Sequence, residues 1–321
     1  MKKQIICMEK ASKEILISEA YKIFRRTKVN NNVSDRTIKH YDIMIDLFTS
    51  FLGGDTYCNN INRDTIEEFI EFLKKRNECI KATSINSYLK DLRTILYFFM
   101  ERGYTGNFPV ALLKEDKEIK QTYTSDEIDL LLQKPNVKKC KFSDYRNWVI
   151  TCYLLCTGNR LGSVCELRNK DIDFDSKVIH LRKMKMRKAF IMPLSIELEK
   201  ILIEYMQYRK GEAEDYLFCN RFGDKLQESS LNTAIYRYNH EKGVNKTSVH
   251  LYRHTFAKSY LTNGGDLARL QGLLCHSTPT MSLEYAQMFD TDLDYHFNER
   301  NPLDNHLRKV KSSKSIEMVK A

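Results

Sequence analysis

Apolar residues recur at helical spacing through the first third of the chain, and this periodicity constrains the fold more than any other feature. Ile38, Tyr41, Ile45 and Phe48 mark one helix face, and residues 85–99 repeat the pattern. Such spacing aligns apolar side chains along one stripe of a helix. Four segments of this kind with short connections predict a small helical bundle. The predicted N-caps of its last three helices are Ser34 or Asp35, Asp64, and Thr83 or Ser84.

The periodicity changes in the second half of the chain. Thr124 and Glu127 have the spacing of a capping box and predict the start of a helix. Residues 177–182 and 189–194 are short strand candidates that flank the basic segment 183–188, which predicts a hairpin with a basic tip. Helices are predicted again over 195–208, 227–240, 248–261 and 267–275. The predicted fold is therefore mainly α, with a helical bundle followed by an α+β domain that contains a small β-hairpin.

The distribution of charged residues predicts two domains and an anionic partner. A charged, core-poor stretch over 113–123 is predicted to be a linker between a helical domain over 10–112 and a second domain over 124–300, and a basic tail follows over 301–321. The chain has 52 Lys and Arg against 42 Asp and Glu, a formal net charge of +10. This surplus favours a nucleic acid or an anionic membrane surface as the partner.

The cysteine pattern and the apolar runs limit the cellular setting. The nine cysteines are odd in number, and no pair has CxxC spacing, so neither a disulfide framework nor a metal site is expected. The longest apolar runs are too short to span a bilayer, and charged residues interrupt the first ten positions. We therefore expect a cytoplasmic protein that does not span a membrane.

Three segments place polar residues inside otherwise apolar, structured runs. A glycine turn sets Arg160 at the start of a helix, where free N–H groups and a guanidinium suit a phosphate. His250 and Arg253 lie three residues apart, on one helix face. His276 is followed by a Ser/Thr turn and, nine residues on, by Tyr285. Taken singly, each segment has a plainer interpretation as an ion-paired arginine, a solvated helix face, or a turn histidine with a packed tyrosine.

Taken in order, the set resembles the tyrosine recombinases, also called the phage integrase family. The family pattern is a TGxR turn, a Lys in a β-hairpin, HxxR, LxHxS and a Tyr nine residues beyond that His. The matching residues are Arg160, Lys185, His250, Arg253, His276 and Tyr285. The resemblance covers most of the chain: 10–112 is similar to the helical, SAM-like core-binding domain, and 124–300 to the catalytic domain.

The chain departs from the family pattern at a few positions. Ser163 stands where an acid usually steadies the first arginine, so a substitute partner is needed, for which Glu166 is the candidate. Cys275 stands where the family usually has glycine, and the hairpin tip carries Met184 and Met186 where small residues are common.

The resemblance implies site-specific cleavage and rejoining of DNA through a 3′-phosphotyrosyl intermediate, without metal or cofactor. Arg160 and Arg253 would hold the non-bridging oxygens, and His276 would donate a hydrogen bond to one of them. Tyr285 would be the nucleophile, assisted by His250, and Lys185 the general acid. The implied partners are double-stranded DNA and further copies of the chain, four on two DNA sites, with an accessory DNA-bending or directionality factor as a further candidate. The tail is similar to a segment that packs on a neighbouring copy.

Two basic surfaces are predicted to bind DNA outside the reacting centre. The first is the N-terminal part of the fourth helix, whose alternative interpretation is a solvated face. The second is the hairpin tip around Lys185, which would contact backbone phosphates. The predicted DNA-binding residues are Lys81, Thr83, Ser84, Asn86, Lys90, Lys183, Arg187 and Lys188.

The resemblance predicts an integrase or excisionase of a mobile element or phage and leaves other activities open. One alternative is a type IB topoisomerase, which shares the Arg, Lys, His and Tyr chemistry but relaxes supercoils without a cognate site. Another is a catalytically silent protein that only occupies its DNA site. A basic helical protein at a membrane surface is the third, and it leaves the ordered motifs unexplained.

Overall fold

The computed structural model describes residues 14–115, 121–181 and 190–275, together with Leu283. The chain divides into two compact units, Met1–Glu118 and Ile119–Ala321. No helix in these described ranges is long and apolar enough to cross a membrane.

The first unit is a bundle of the four helices that the periodicity predicts. Phe24, Phe48, Phe69 and Phe99 are fully buried at its centre, with T-shaped contacts such as that between Phe48 and Phe69. Burial of these large rings supplies much of the unit's stabilisation. The helices are α1 (Ile17–Asn30), α2 (Asp35–Phe51), α3 (Arg63–Arg76) and α4 (Ala82–Glu101), and a 3-10 turn covers Cys58–Asn60.

In the first unit, the structure confirms one of the three predicted N-caps and shows that the other two are wrong. Ser34 accepts a hydrogen bond from the Thr37 N–H, as predicted for α2. The cap of α3 is Asn62 rather than Asp64, because Asn62 and Thr65 each accept a hydrogen bond from the other's backbone N–H. The predicted caps Thr83 and Ser84 are wrong for α4, which begins at Ala82.

Asn86 fastens the end of the first unit to α4. Its side chain is 1% exposed, its Nδ2 donates to Leu113 O at 2.9 Å, and its Oδ1 accepts from Leu113 N at 2.8 Å. A buried amide that pairs with both the N–H and the C=O of one residue fixes the backbone of that residue in place. The chain is therefore anchored at Leu113 before it leaves this unit.

The second unit is built around α6 (Phe142–Thr157), which is buried along most of its length. Thr124 and Glu127 cap α5 (Ser125–Leu132) reciprocally, as predicted. The short helix α7 (Leu161–Glu166) leads to a three-stranded antiparallel sheet of β1 (Ile172–Asp173), β2 (Val178–Leu181) and β3 (Phe190–Pro193). The remaining described helices are α8 (Ile196–Arg209), α9 (Glu228–Glu241), α10 (Val249–Thr262) and α11 (Leu267–Leu273).

The two predicted strands pair antiparallel as β2 and β3, with Ile179 opposite Met192. The additional strand β1, which pairs with β2, was not predicted because two residues are too few to show an alternating pattern. The predicted hairpin tip, 183–188, lies outside the described residues.

Tyr123 anchors the chain where it enters the second unit. Its backbone N–H donates to Thr255 Oγ1 at 2.9 Å, and its hydroxyl donates to Lys246 O at 3.1 Å. The same hydroxyl accepts a hydrogen bond from Asn239 Nδ2, and Tyr252 donates to Asn239 Oδ1. This buried network fixes Tyr123 to α9 and α10.

Candidate active site

Three of the six predicted catalytic residues, Arg160, His250 and Arg253, lie in the described part of the second unit. The structure brings them together at the ends of α6, α10 and α11. The other predicted site residues there lie outside the described residues; they are Lys183, Lys185, Arg187, Lys188, His276 and Tyr285.

Gly158 ends α6 and forms the base of the site. Its backbone is left-handed, with φ +60°, and its N–H donates to Leu154 O at 2.9 Å. A β-carbon here would lie 2.6 Å from Phe256 Cδ1 and 2.9 Å from Leu274 Cδ2. Only glycine therefore allows both the left-handed turn and the close approach of α10 and the end of α11.

Arg253 is 6% exposed and spans the two chain segments that meet at Gly158. Its Nη1 donates to Gly158 O at 2.9 Å, and its Nη2 donates to Leu274 O at 2.7 Å. Because both are rigid backbone carbonyls, they hold the planar guanidinium in a single orientation. Arg253 thus joins α10 to the Arg160 turn and to the segment that leads to His276.

Arg160 immediately precedes α7 and reaches the same segment. Its Nη1 lies 3.5 Å from Cys275 O. The prediction that Glu166 partners Arg160 is wrong, because Glu166 forms an ion pair with Lys225 at the far end of α7. A backbone carbonyl takes that place among the described residues.

His250 lies at the surface in the first turn of α10. Desolvation by the surrounding protein, with the positive charges of Arg253 and Arg160, lowers the pKa of His250 from its usual value. The imidazole is therefore neutral near pH 7, the form that can accept a proton. Two guanidiniums can bind an anionic group. A neutral imidazole beside them can accept a proton from a group that reacts with that anion.

Cys275 adopts a backbone conformation that suits glycine. Its φ is +49°, in the left-handed region, and its N–H donates to Gly272 O at 2.9 Å. Burial raises the pKa of the Cys275 thiol, so it is not a thiolate nucleophile. The family's usual glycine at this position has a physical reason here, since a β-carbon in this conformation costs about 1–2 kcal/mol.

We expect Cys275→Gly to be more stable than Cys275→Ala by about 1 kcal/mol, because only glycine relieves the left-handed strain. At ordinary positions the order is reversed, with glycine less stable. Urea denaturation of the two variants measures the difference. A Cys275→Ala protein equal to or more stable than Cys275→Gly would contradict the assigned strain.

Four of the five residues predicted to bind DNA at the start of the fourth helix are exposed, and one is not. Lys81, Thr83, Ser84 and Lys90 are exposed, whereas Asn86 is buried and occupied by Leu113. The structure therefore removes Asn86 from that set.

Within the described ranges, no group of three or more His, Cys, Asp or Glu side chains could hold a metal ion.

Sequence reasoning did not single out Asn159, the residue between Gly158 and Arg160. It is 4% exposed, and its Nδ2 donates to the Tyr153 hydroxyl at 2.7 Å. A buried polar side chain in a site turn is informative, but nothing in its spacing distinguishes it from an exposed turn asparagine.

Two family models match the chain. The model of the Phage integrase family matches residues 121–291, and that of the Phage integrase SAM-like domain matches residues 18–117. A curated relative, tyrosine recombinase XerD of Staphylococcus haemolyticus, is 26% identical over 300 residues, which are 90% of this chain and 99% of the relative.

Solved structures of integrases share the fold. The Tn1549 transposon integrase in complex with a circular intermediate DNA superposes with a TM-score of 0.67 and 20% identity, over 84% of this chain and 94% of that one. A lambda integrase tetramer bound to a Holliday junction gives a TM-score of 0.66 and 16% identity, over 83% and 79%. The predicted fold class, a SAM-like helical bundle and a mainly α domain with a small sheet, is confirmed.

Proposed function

Because the chain belongs to the phage integrase family of tyrosine recombinases, which cleave and rejoin DNA, we propose that it performs site-specific recombination with the six residues that its motifs supply. The family resemblance that the motifs indicated is thereby confirmed. The roles of the individual residues and the biological setting are part of the proposal.

The observation that carries the proposal is the way Arg253 is held. Its two bonds to Gly158 O and Leu274 O orient a buried guanidinium beside the turn that carries Arg160. Two arginines presented from neighbouring backbone segments can bind both non-bridging oxygens of one phosphodiester. Such prearranged donors stabilise the charge that builds on those oxygens in the transition state.

The proposed reaction is a transesterification. The Tyr285 oxygen attacks the phosphorus, its proton leaves to His250, and a 3′-phosphotyrosyl bond forms. The bond from phosphorus to the 5′ oxygen breaks, and that oxygen takes a proton from Lys185. His276 donates a hydrogen bond to a non-bridging oxygen. Attack by a 5′ hydroxyl of another duplex reverses these steps and restores Tyr285, so no external energy source is needed.

The proposed substrate is double-stranded DNA, bound through the exposed face of Lys81, Thr83, Ser84 and Lys90 and through the hairpin tip. Exchange between two duplexes requires two copies on each, so we propose a tetramer on DNA, as in the lambda integrase structure. The proposed setting is integration or excision of a mobile element. The relative named XerD provides a second candidate, a recombinase outside a mobile element.

Covalent trapping tests the proposal. The full-length protein is incubated with nicked duplexes from the DNA that flanks its gene. Cleavage next to the nick releases the short end of the cut strand, so religation is prevented. We expect an SDS-resistant adduct whose peptide map places the DNA on Tyr285, and no adduct with Tyr285→Phe. An adduct on another residue, or none with any fragment that the protein binds, would overturn the proposal. Relaxation of a plasmid without a flanking site would favour the topoisomerase alternative.

The pH dependence of cleavage should reflect the lowered pKa of His250. The imidazole accepts a proton only when it is neutral, so the rate should fall as the pH drops through this pKa. Because that pKa lies below the ordinary value of 6.5, we expect the acidic limb to have its midpoint below pH 6.5. Single-turnover cleavage over about pH 5 to 8 measures it. A midpoint at or above 6.5, or an unchanged limb in His250→Gln, would contradict the role.

A further inference from the structure

The side chain of Asn159 contacts two different elements of the second unit, the helix α6 and the strand β3. Its Nδ2 donates to the Tyr153 hydroxyl at 2.7 Å and lies 3.8 Å from the sulfur of Met192. Tyr153 belongs to α6 and is fully buried, and Met192 belongs to β3 and is almost fully buried. The Asn159 backbone N–H also donates to Thr157 Oγ1 at 3.3 Å. The turn is therefore attached to the core helix and to the sheet at once.

The two segments that Asn159 links, the turn and β3, are each close in sequence to a residue of the proposed reaction. Asn159 is followed directly by Arg160, which would bind the phosphate. Met192 lies in β3, the strand that continues from the segment containing Lys185. Arg160 and Lys185 must act on one phosphate group, the first on a non-bridging oxygen and the second on the leaving oxygen. Asn159 adjoins Arg160 in the turn and contacts Met192 in the strand that follows the Lys185 segment.

We propose that Asn159 is a positioning residue that sets the Arg160 turn in register with β3, the strand that follows the Lys185 segment in the chain, and so aligns the general acid with the leaving oxygen. This inference rests on the proposed function. Asn159 touches no substrate atom, and its effect passes through the turn and through β3. Loss of this link should therefore impair protonation of the 5′ oxygen more than it impairs DNA binding.

Asn159→Leu keeps the side-chain size and removes the donor, but it leaves the buried Tyr153 hydroxyl without that partner. An unpaired buried polar group is destabilising, whereas removing both partners is nearly neutral. The double variant Asn159→Leu, Tyr153→Phe therefore separates function from stability. We expect its free energy of unfolding to lie closer to that of the wild type than that of Asn159→Leu alone.

The chemical test uses a substrate whose 5′ bridging oxygen is replaced by sulfur. A thiol has a pKa near 8.5, far below that of an alcohol, so a thiolate leaves without a general acid. Single-turnover cleavage of the sulfur substrate and of the ordinary substrate is measured for the wild type, the double variant and Lys185→Ala. The Arg253→Lys variant serves as the control for a defect in phosphate binding.

We expect the double variant to cleave ordinary DNA about 10–100-fold more slowly than the wild type, and the sulfur substrate within about threefold of it. Lys185→Ala should show the same rescue, and Arg253→Lys should not. A wild-type rate on ordinary DNA, or equal slowing on both substrates, would overturn the positioning role. If the wild type forms no adduct, or if sulfur does not rescue Lys185→Ala, the proposed function fails instead.

Discussion

Replacing Arg253 with lysine should lower the single-turnover rate of DNA cleavage by roughly 10²–10³-fold, the usual cost of losing an oriented donor to a transition-state oxygen. A lysine keeps the charge but has one ammonium in place of a planar fork. It cannot bond to Gly158 O and Leu274 O in the same way while it faces the phosphate. DNA binding, which depends on many basic residues, should change far less.

Arg146 provides a matched control. It is also 6% exposed, and its Nη1 also donates to a backbone carbonyl, that of Cys219, at 2.8 Å. Arg146→Lys should destabilise the protein to a similar extent, because a comparable buried guanidinium is lost. Its cleavage rate per folded molecule should remain within about threefold of the wild type. Equal losses of rate in both variants would show that Arg253 acts only through folding.

Gly158→Ala should lower the free energy of unfolding of the second unit by about 2–5 kcal/mol. About 1–2 kcal/mol comes from placing a β-carbon in a left-handed backbone, and about 1–3 kcal/mol from the clash with Phe256 and Leu274. If the turn moves to relieve the clash, the carbonyl that holds Arg253 moves with it, so cleavage should fall as well. Thermal or urea denaturation measures the stability.

Gly243→Ala isolates the first of these two costs. Gly243 follows α9 in the same unit and has φ +78°, with nothing within 4 Å of an added β-carbon. This variant should lose only about 1–2 kcal/mol and keep its cleavage rate. If Gly158→Ala proves no less stable than Gly243→Ala, the close packing at the base of the site is not rigid.

The helices could be predicted from the sequence because their apolar spacing is a local property. The same spacing also predicts the burial of Asn86. This residue follows Ile85 directly and precedes Leu89 by three residues, on the buried side of α4. Its burial was therefore accessible from periodicity. The cap of α3 was not, because Asn62 and Asp64 are both good caps and the choice depends on the reciprocal bond with Thr65.

The order of the motifs selected Arg160, His250 and Arg253, but not the contacts that bring them together. Arg253 bonds to Gly158, which is 95 residues away in the chain. Glu166 is close to Arg160 in sequence, yet it pairs with Lys225, which is 59 residues further on. Nothing local identifies such partners, since they depend on how the helices pack. The positions of Lys185, His276 and Tyr285 remain predictions from the motifs.

The hydrogen bonds at Leu113 and Tyr123 define the ends of a tether. Nine residues lie between the two anchors, so ten Cα-to-Cα steps join them, and a fully extended chain of that length reaches about 33–36 Å. One turn of duplex DNA rises about 34–36 Å. The chain between Leu113 and Tyr123 can therefore follow duplex DNA for about one helical turn at most.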